Sequence, residues 1–329
     1  MRIVQFMASE RWGGAEKVFV QLANGLSTNN EVYAFLLRGT DYAWRFSPAV
    51  NIIELKSHPT THNPFLVLEI LTILKNLRPD LVHTHAVKAS LLMWRVSRFF
   101  SIKHLATKHN ARKGKIFNRL SSVSTVSEDA RKSVRQRKSR AVVKTIHNGI
   151  QPQMVNAEPP GSLFRITAVG RLDAIKGFDV LIDQVGGLTF PFELHIVGEG
   201  PEQHTLEAHI REHNLENRVQ LCGFCEDVPQ RMRSSHLVVI SSLSEGFPQV
   251  MVESLFYANA LISTPVGGVK EVLPDLFLAD QQNLGSKIED VFRRYAHYCS
   301  EFAKVRQERA NDFLLSGIIA QYENYYKEI

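Results

Sequence analysis

Cysteine is scarce. The 329-residue chain holds three, Cys222, Cys225 and Cys299, too few for a disulfide scaffold. Long apolar runs are also missing, and no stretch approaches the ~18 uncharged apolar residues that a membrane span needs. The start, MRIVQFMASERWGG, has an apolar run too short for a signal peptide, and Glu10 and Arg11 follow at once. The fingerprint G-x-G-x-x-G is absent; the nearest match, GEGPEQ, ends in Gln203, which argues against a nicotinamide-dependent oxidoreductase. No Asp-x-Asp pair occurs, so no motif calls for a divalent metal. CGFC (Cys222, Cys225) has no second ligand pair at finger spacing and opens no helix, so it reads as structural. Zinc-finger and RNP patterns are lacking, which speaks against a nucleic-acid partner.

What is present suits a soluble chain of two domains: 44% hydrophobic and 22% charged residues, over a length too great for one ordinary core. The charge is uneven. Residues 1–150 hold 24 Lys and Arg against 9 Asp and Glu, a net of +15, whereas 151–329 hold 15 against 24, a net of −9. Most of the excess lies between Lys88 and Lys144. Such a half suits an anionic membrane surface, a phosphorylated substrate or nucleic acid; a solvated basic face and charge complementarity in domain closure are the alternatives.

Strand-like and helix-like segments alternate. RIVQFMA, EVYAFLL, VNIIEL, DLVHTHA, HLATKHN, SSVSTVS and VVKTIHNGI read as strands. GGAEKVFVQLANGL, FLVLEILTILKNL and KASLLMWRVSRFF read as helices between them. The polar segment Gln151–Ser162, with three prolines, breaks the pattern as a linker, and the alternation restarts at FRITAVG. The reading is therefore α/β, with two doubly wound domains, 1–155 and 156–329. SKIEDVFRRYAHYCSEFAKVRQERANDF is expected as one long charged helix and GIIAQYENYYKEI as a second, amphipathic one. Open parallel sheets bind ligands at the carboxyl ends of their strands, so the motifs there carry the chemistry.

In SSLSEGFPQVMVES, Pro248 suits the first position of a helix, leaving the N–H groups of Gln249, Val250 and Met251 as an anion site. Glu253, a turn further in, is placed to accept from ribose hydroxyls, and Glu245, on the loop, to reach a sugar. AVGRLDAIKGFDVLI sets Arg171 and Lys176 between a strand and a helix, a fork and a point charge for phosphate. IVGEGPE and LCGFCEDVP end later strands with glycines, and ERWGGAEK puts Gly13 and Gly14 before the first helix, where backbone can approach phosphate.

Taken in order, GGAE, GRLDAIKGFDVLI, VGEGPE, GFCEDVP and EGFPQVMVESLFYANALISTPVGGVKEVL resemble glycosyltransferase family 4, retaining enzymes of the GT-B fold that use nucleotide sugars. The resemblance implies two Rossmann-like domains facing across a cleft, with the C-terminal helix packing back on the N-terminal, acceptor-binding domain. It assigns Arg171 and Lys176 to the donor pyrophosphate, Glu245 to the donor sugar and Glu253 to ribose. Gly13 and Gly14 match the loop that approaches the phosphates. The base would lie between the loops at Gly198 and at Gly223 and Phe224, and Gly246, Phe247, Pro248, Gln249 and Val250 complete the donor set. A histidine at the end of the VHTHA strand would stand near the reacting centre; His85 is the choice and His109 the runner-up. The catalytic set is then His85, Glu245, Arg171 and Lys176, with no metal and no cofactor beyond a UDP-sugar donor.

The implied reaction is retaining transfer from a UDP-hexose or UDP-N-acetylhexosamine to a lipopolysaccharide-core or lipid-linked glycan. A nucleotide-sugar epimerase of the same fold, or a nucleic-acid- or anion-binding Rossmann protein, is the alternative. Leu91, Trp94 and Phe99 beside Lys88, Arg95 and Arg98 make an interfacial mix, so peripheral association with an anionic cytoplasmic membrane face is expected.

Overall fold

The computed structural model describes residues 1–329 apart from Lys113 and 136–141, so part of the basic run lies outside the described residues. In chain order the elements are β1 (Arg2–Met7), α1 (Gly14–Leu26), β2 (Glu31–Leu37), β3 (Val50–Leu55), α2 (Pro64–Leu77), β4 (Leu81–His85), α3 (Ala86–Val96), β5 (Lys103–Lys108), β6 (Ser122–Thr125), α4 (Glu128–Arg135) and β7 (Val142–Thr145). After the linker come β8 (Phe164–Val169), α5 (Phe178–Gly186), β9 (Phe192–Val197), α6 (Gln203–Glu212), β10 (Val219–Leu221), α7 (Val228–Arg233), β11 (Leu237–Ile240), α8 (Gln249–Tyr257), β12 (Leu261–Ser263), α9 (Leu284–Arg293), α10 (Tyr295–Arg309) and α11 (Leu315–Glu328).

The chain divides into two compact units, Met1–Gln151 with Leu314–Ile329, and Pro152–Phe313. The first is a seven-stranded sheet in the order β3-β2-β1-β4-β5-β6-β7, the second a five-stranded sheet in the order β10-β9-β8-β11-β12. All the strand pairs are parallel. The last helix belongs to the first unit, so the boundary read at residue 155 covers only one of the two chain crossings.

Strand parity explains the core of the first unit. Side chains alternate faces along a strand. Ile3 and Met7 of β1 enter a cluster with Phe19 of α1 and Ile318, Tyr322, Tyr325 and Tyr326 of α11. Val4 and Phe6 point the other way, to Leu66 and Ile70 of α2 and Leu92 and Met93 of α3. Gln5 falls on the face of Ile3 and Met7 and is wholly buried there.

Local signals set the helix ends. The Asn63 side chain accepts from the Phe65 N–H at 3.0 Å with Pro64 as the first residue of α2, and Arg78, left-handed at φ 48°, ends it. The long C-terminal helix expected over 286–313 is instead two, interrupted at Arg294 (φ −120°, ψ 33°). The Asp290 carboxylate spans the break, accepting from Arg294 Nη1 at 3.3 Å and the Tyr298 hydroxyl at 2.6 Å. Phe292 and Tyr295 flank it with their rings edge-on to Phe164.

Candidate functional site

In the second unit the loops after β8 and β11 meet, because those strands are neighbours in the sheet. Lys176 and Glu245, 69 residues apart, form an ion pair at 2.6 Å with both side chains largely buried. The Ser242 hydroxyl donates to the same Glu245 Oε1 at 2.8 Å. Gly177 (φ 61°) allows this approach, since a Cβ there would lie 2.5 Å from the Ser241 carbonyl oxygen. Arg171 stays half-exposed, 4.0 Å from Asp173, whose other carboxylate oxygen is buried without a hydrogen-bond partner.

The loops at Gly198 and Gly223 are bonded directly, Gly198 N–H to Gly223 C=O at 2.8 Å. Gly198 sits at φ 142°, and a Cβ on it would fall 2.0 Å from the Gly170 carbonyl oxygen. Gly198→Ala is therefore expected to cost the second unit at least about 2 kcal/mol from strain and clash. That is a loss of roughly 4–8 °C in midpoint for a unit of this size. Differential scanning calorimetry reads it directly, and an unchanged midpoint would mean that Gly198 does not approach the Gly170 carbonyl. Phe224, next to Gly223, is 49% exposed.

Pro248 is the cap of α8 and Gln249 its first residue, one position later than the sequence pattern indicates. The Met251 N–H turns back to the Pro248 carbonyl at 3.1 Å, so the backbone donors outside the helix ladder are those of Gln249 and Val250. Both polar atoms of the Gln249 side chain are buried without a partner. Glu253 lies a turn further in and is buried. Phe247 is no surface residue: its ring packs on Phe313 at 5.5 Å, which leaves only its backbone to face a ligand. Gly246 accepts from the Gly268 N–H at 2.9 Å, and Gly267 (φ 51°) has no room for a Cβ against Glu245 and Gly246. Ser242, Asp173, Gly267 and the Gln249 side chain are additions to the sequence-derived set. Two carry a sequence signal, the Ser-Ser before the acidic loop and the Gly-Gly of STPVGGVKE.

In the first unit Gly13 caps α1 in extended backbone (φ −169°), and nothing lies within 4 Å of the place a Gly14 Cβ would take. The first backbone bond of α1 runs from Lys17 to Gly13, leaving the Gly14 and Ala15 N–H groups outside the ladder.

The histidines differ from the expectation. His85 is fully buried, so its ring is not presented at the surface. Parallel register aligns Met7 with His85, Gln5 with His83 and His85 with Thr107. His85 Nε2 donates to Gln5 Oε1 at 2.8 Å, and Gln5 Nε2 donates to the Tyr326 hydroxyl at 3.1 Å. With its Nε2 carrying the hydrogen, neutral His85 offers Nδ1 as a lone pair, and His109 Nε2–H donates to it across 3.2 Å. His109, the outermost ring of this chain, then keeps a lone pair on Nδ1. Behind them His83 bonds Tyr326 at 2.7 Å and Thr107 at 2.6 Å. Burial lowers the pKa of every ring here: His83 and His85 fall well below the usual imidazole value and His109 to about 4, while nearby His104, bonded to the Thr84 hydroxyl at 2.8 Å, falls to about 3. Ala86, next to His85, is held left-handed at φ 64°, a strained conformation for a residue with a Cβ.

Two family models match in succession, Glycosyltransferase Family 4 over residues 12–154 and Glycosyl transferases group 1 over residues 164–294. The chain belongs to glycosyltransferase family 4. The boundary between the two models falls in the linker. Among family relatives, the "uncharacterized glycosyltransferase MJ1178" of Methanocaldococcus jannaschii is 29% identical over 224 residues, 62% of each chain. The N-acetylgalactosamine-N,N'-diacetylbacillosaminyl-diphospho-undecaprenol 4-alpha-N-acetylgalactosaminyltransferase of Campylobacter jejuni is 36% identical over 111 residues, 33% of this chain and 30% of that protein. The chain thus spans less than two thirds of either relative's length. Anabaena Alr3699/HepE, solved in complex with UDP-glucose, superposes with a TM-score of 0.85 at 20% identity over 100% of both chains, which shows the GT-B fold.

Of the interfacial helix, Leu91 and Trp94 pack against the cluster of Ile116 and Phe117. Phe99 is 70% exposed, as are Phe65 and Leu68 of α2 to a similar degree. Among the described residues no helix is long and apolar enough to cross a membrane.

Proposed function

We propose that the protein is a retaining glycosyltransferase that moves a hexosyl or N-acetylhexosaminyl group from a UDP-linked donor to a cell-envelope glycan, lipid-linked or of the lipopolysaccharide-core kind. The observation that carries the donor reading is the Lys176–Glu245 pair, beside the free end of α8 and the glycine-tied loops of Gly198 and Gly223. In this reading Arg171, Lys176 and the Gln249 and Val250 N–H groups hold the diphosphate and stabilise the charge that develops on it as the anomeric C–O bond breaks. Glu253 receives the ribose hydroxyls, Phe224 stacks on the base, and Glu245 orients the sugar while holding Lys176 in place. These cations and dipoles serve the leaving group without a metal. In the first unit, His109 offers its Nδ1 lone pair to a substrate hydroxyl, and buried His85 acts behind it as a positioning residue. UDP-glucose in Alr3699/HepE and the undecaprenol-linked acceptor in the Campylobacter enzyme's name support the two substrate classes.

Incubation with UDP-, GDP- and ADP-sugars, with and without lipid-linked and lipopolysaccharide-core acceptors, is expected to release UDP and label an acceptor. Turnover with none of the donors would overturn the reading. The basic first unit, with Phe99, Phe65 and Leu68 exposed, suits an acceptor held at an anionic leaflet. Co-sedimentation should be stronger with anionic than with neutral vesicles at low salt, and equal recovery would remove the electrostatic part.

A further inference from the structure

We propose that Asp183, His209 and His213 form a binding site for a divalent transition-metal ion of the zinc class, remote from the donor loops. Asp183 lies on α5, His209 near the end of α6, and His213 caps that helix. The two histidines are four apart, so they share a face of α6, which packs against α5. One ligand atom from each residue lies within 4.8 Å of the others.

The distances fit coordination. Asp183 Oδ1 is 3.3 Å from His209 Nδ1 and 3.4 Å from His213 Nε2. Tetrahedral zinc with bonds of about 2.0–2.1 Å separates its ligand atoms by roughly 3.3–3.4 Å. The chemistry fits as well. His213 Nδ1 lies 3.0 Å from the His209 carbonyl oxygen, which only accepts, so Nδ1 carries the hydrogen and Nε2 keeps the lone pair. A backbone carbonyl fixing the tautomer of a ligating imidazole is the usual outer support of a metal histidine. A neutral His213 therefore turns a lone pair towards a carboxylate oxygen, and one oxygen faces two imidazole nitrogens. A metal ion placed among the three would be ligated by that oxygen and by the ring lone pairs. Two imidazoles and a carboxylate suit zinc and leave a fourth position for water.

The bound ion would fasten α5 to α6. The glycine loop of the donor set precedes the N-terminus of α6, whereas both histidines sit at its C-terminal end, so occupancy is separable from donor binding.

The test uses untagged, chelator-stripped full-length protein. Zinc chloride is titrated by calorimetry and cobalt(II) by visible absorption, on the parent, His209→Ala, His213→Ala and the double variant Cys222→Ser/Cys225→Ser. One equivalent should bind the parent and the double serine variant, and cobalt should show the intense absorption of a four-coordinate ion without thiolate charge-transfer bands. Either alanine variant should bind roughly tenfold more weakly or worse, since even an outer-sphere partner is worth about 10- to 100-fold. Zinc should raise the unfolding midpoint of the parent and not that of His213→Ala. Absence of saturable binding, binding indifferent to His213→Ala, or loss in the serine variant would each overturn the proposal.

Discussion

At pH 5 the seven-stranded unit is expected to be several kcal/mol less stable than at pH 7. His83 and His85 are fully buried and neutral, with folded pKa values well below the ordinary imidazole value. The unfolded chain titrates near ~6.5. Between the folded and unfolded values the unfolded state holds more protons, so stability is fully present above ~6.5 and is lost as the pH falls. A ring held neutral down to pH 5 loses about 1.4 kcal/mol per pH unit, so His104 and His109, lowered to about 3 and about 4, together account for roughly 4 kcal/mol at pH 5. His83 and His85, lowered by burial, act in the same direction. Domain stabilities are only about 5–15 kcal/mol, so this is a large fraction. The measurement is convenient because the chain's three tryptophans, Trp12, Trp44 and Trp94, all lie in the first unit. Denaturant titrations followed by tryptophan fluorescence should give a much lower midpoint at pH 5. Equal midpoints would show that the histidines are not held neutral.

Replacing Lys176 with Ala is expected to weaken UDP binding roughly ten- to hundredfold, the equivalent of about 1.5–3 kcal/mol for one charge-assisted contact. The pairing with Glu245 sharpens the test. Glu245→Ala frees the ammonium for phosphate and removes the sugar contact, so it should lower turnover more than affinity for the bare nucleotide. The double variant should not be the sum of the singles, because contacting residues couple by about 0.5–3 kcal/mol. Isothermal titration with UDP on all four proteins measures this. Wild-type affinity in Lys176→Ala would remove Lys176 from the diphosphate site, and strict additivity would separate it from Glu245.

Much of the molecule was legible because its strands and helices follow their own periods. The strands RIVQFM and VNIIEL and the helix FLVLEILTILKNL fall where their periods put them, the helix starting one residue earlier at Pro64. Contacts between distant residues were not legible. Lys176 and Glu245 both stand out as charged residues at strand ends, yet their pairing needs β8 beside β11, which only the sheet order supplies. Gly267 matters through a positive φ and a close approach, and neither leaves a mark beyond the letter G. His85 looked available because a strand end is where ligands bind. Its burial comes from Gln5, read as part of an apolar strand, from Phe19, and from the His83 ring, which tyrosines more than two hundred residues away in turn cover. A lone polar residue on the core face of β1 was the one sequence sign of that network.

The return of the last helix bears on how the protein is made. Tyr322, Tyr325 and Tyr326 fill one side of a sheet whose strands are all encoded before residue 146. A ribosome working at about 5–20 residues per second needs roughly 10–35 s to travel from the end of β7 to the end of α11. Throughout that interval the finished strands wait with an open apolar face, Ile3, Met7, Phe19 and Leu105 among it, and with Gln5 and His83 missing their tyrosine. The five-stranded unit, encoded in the middle, has all its residues on hand before the unit that starts the chain does. The first half to be synthesised thus closes only after the second, and its apolar face stays a ready surface for holdase chaperones until residues 314–329 emerge.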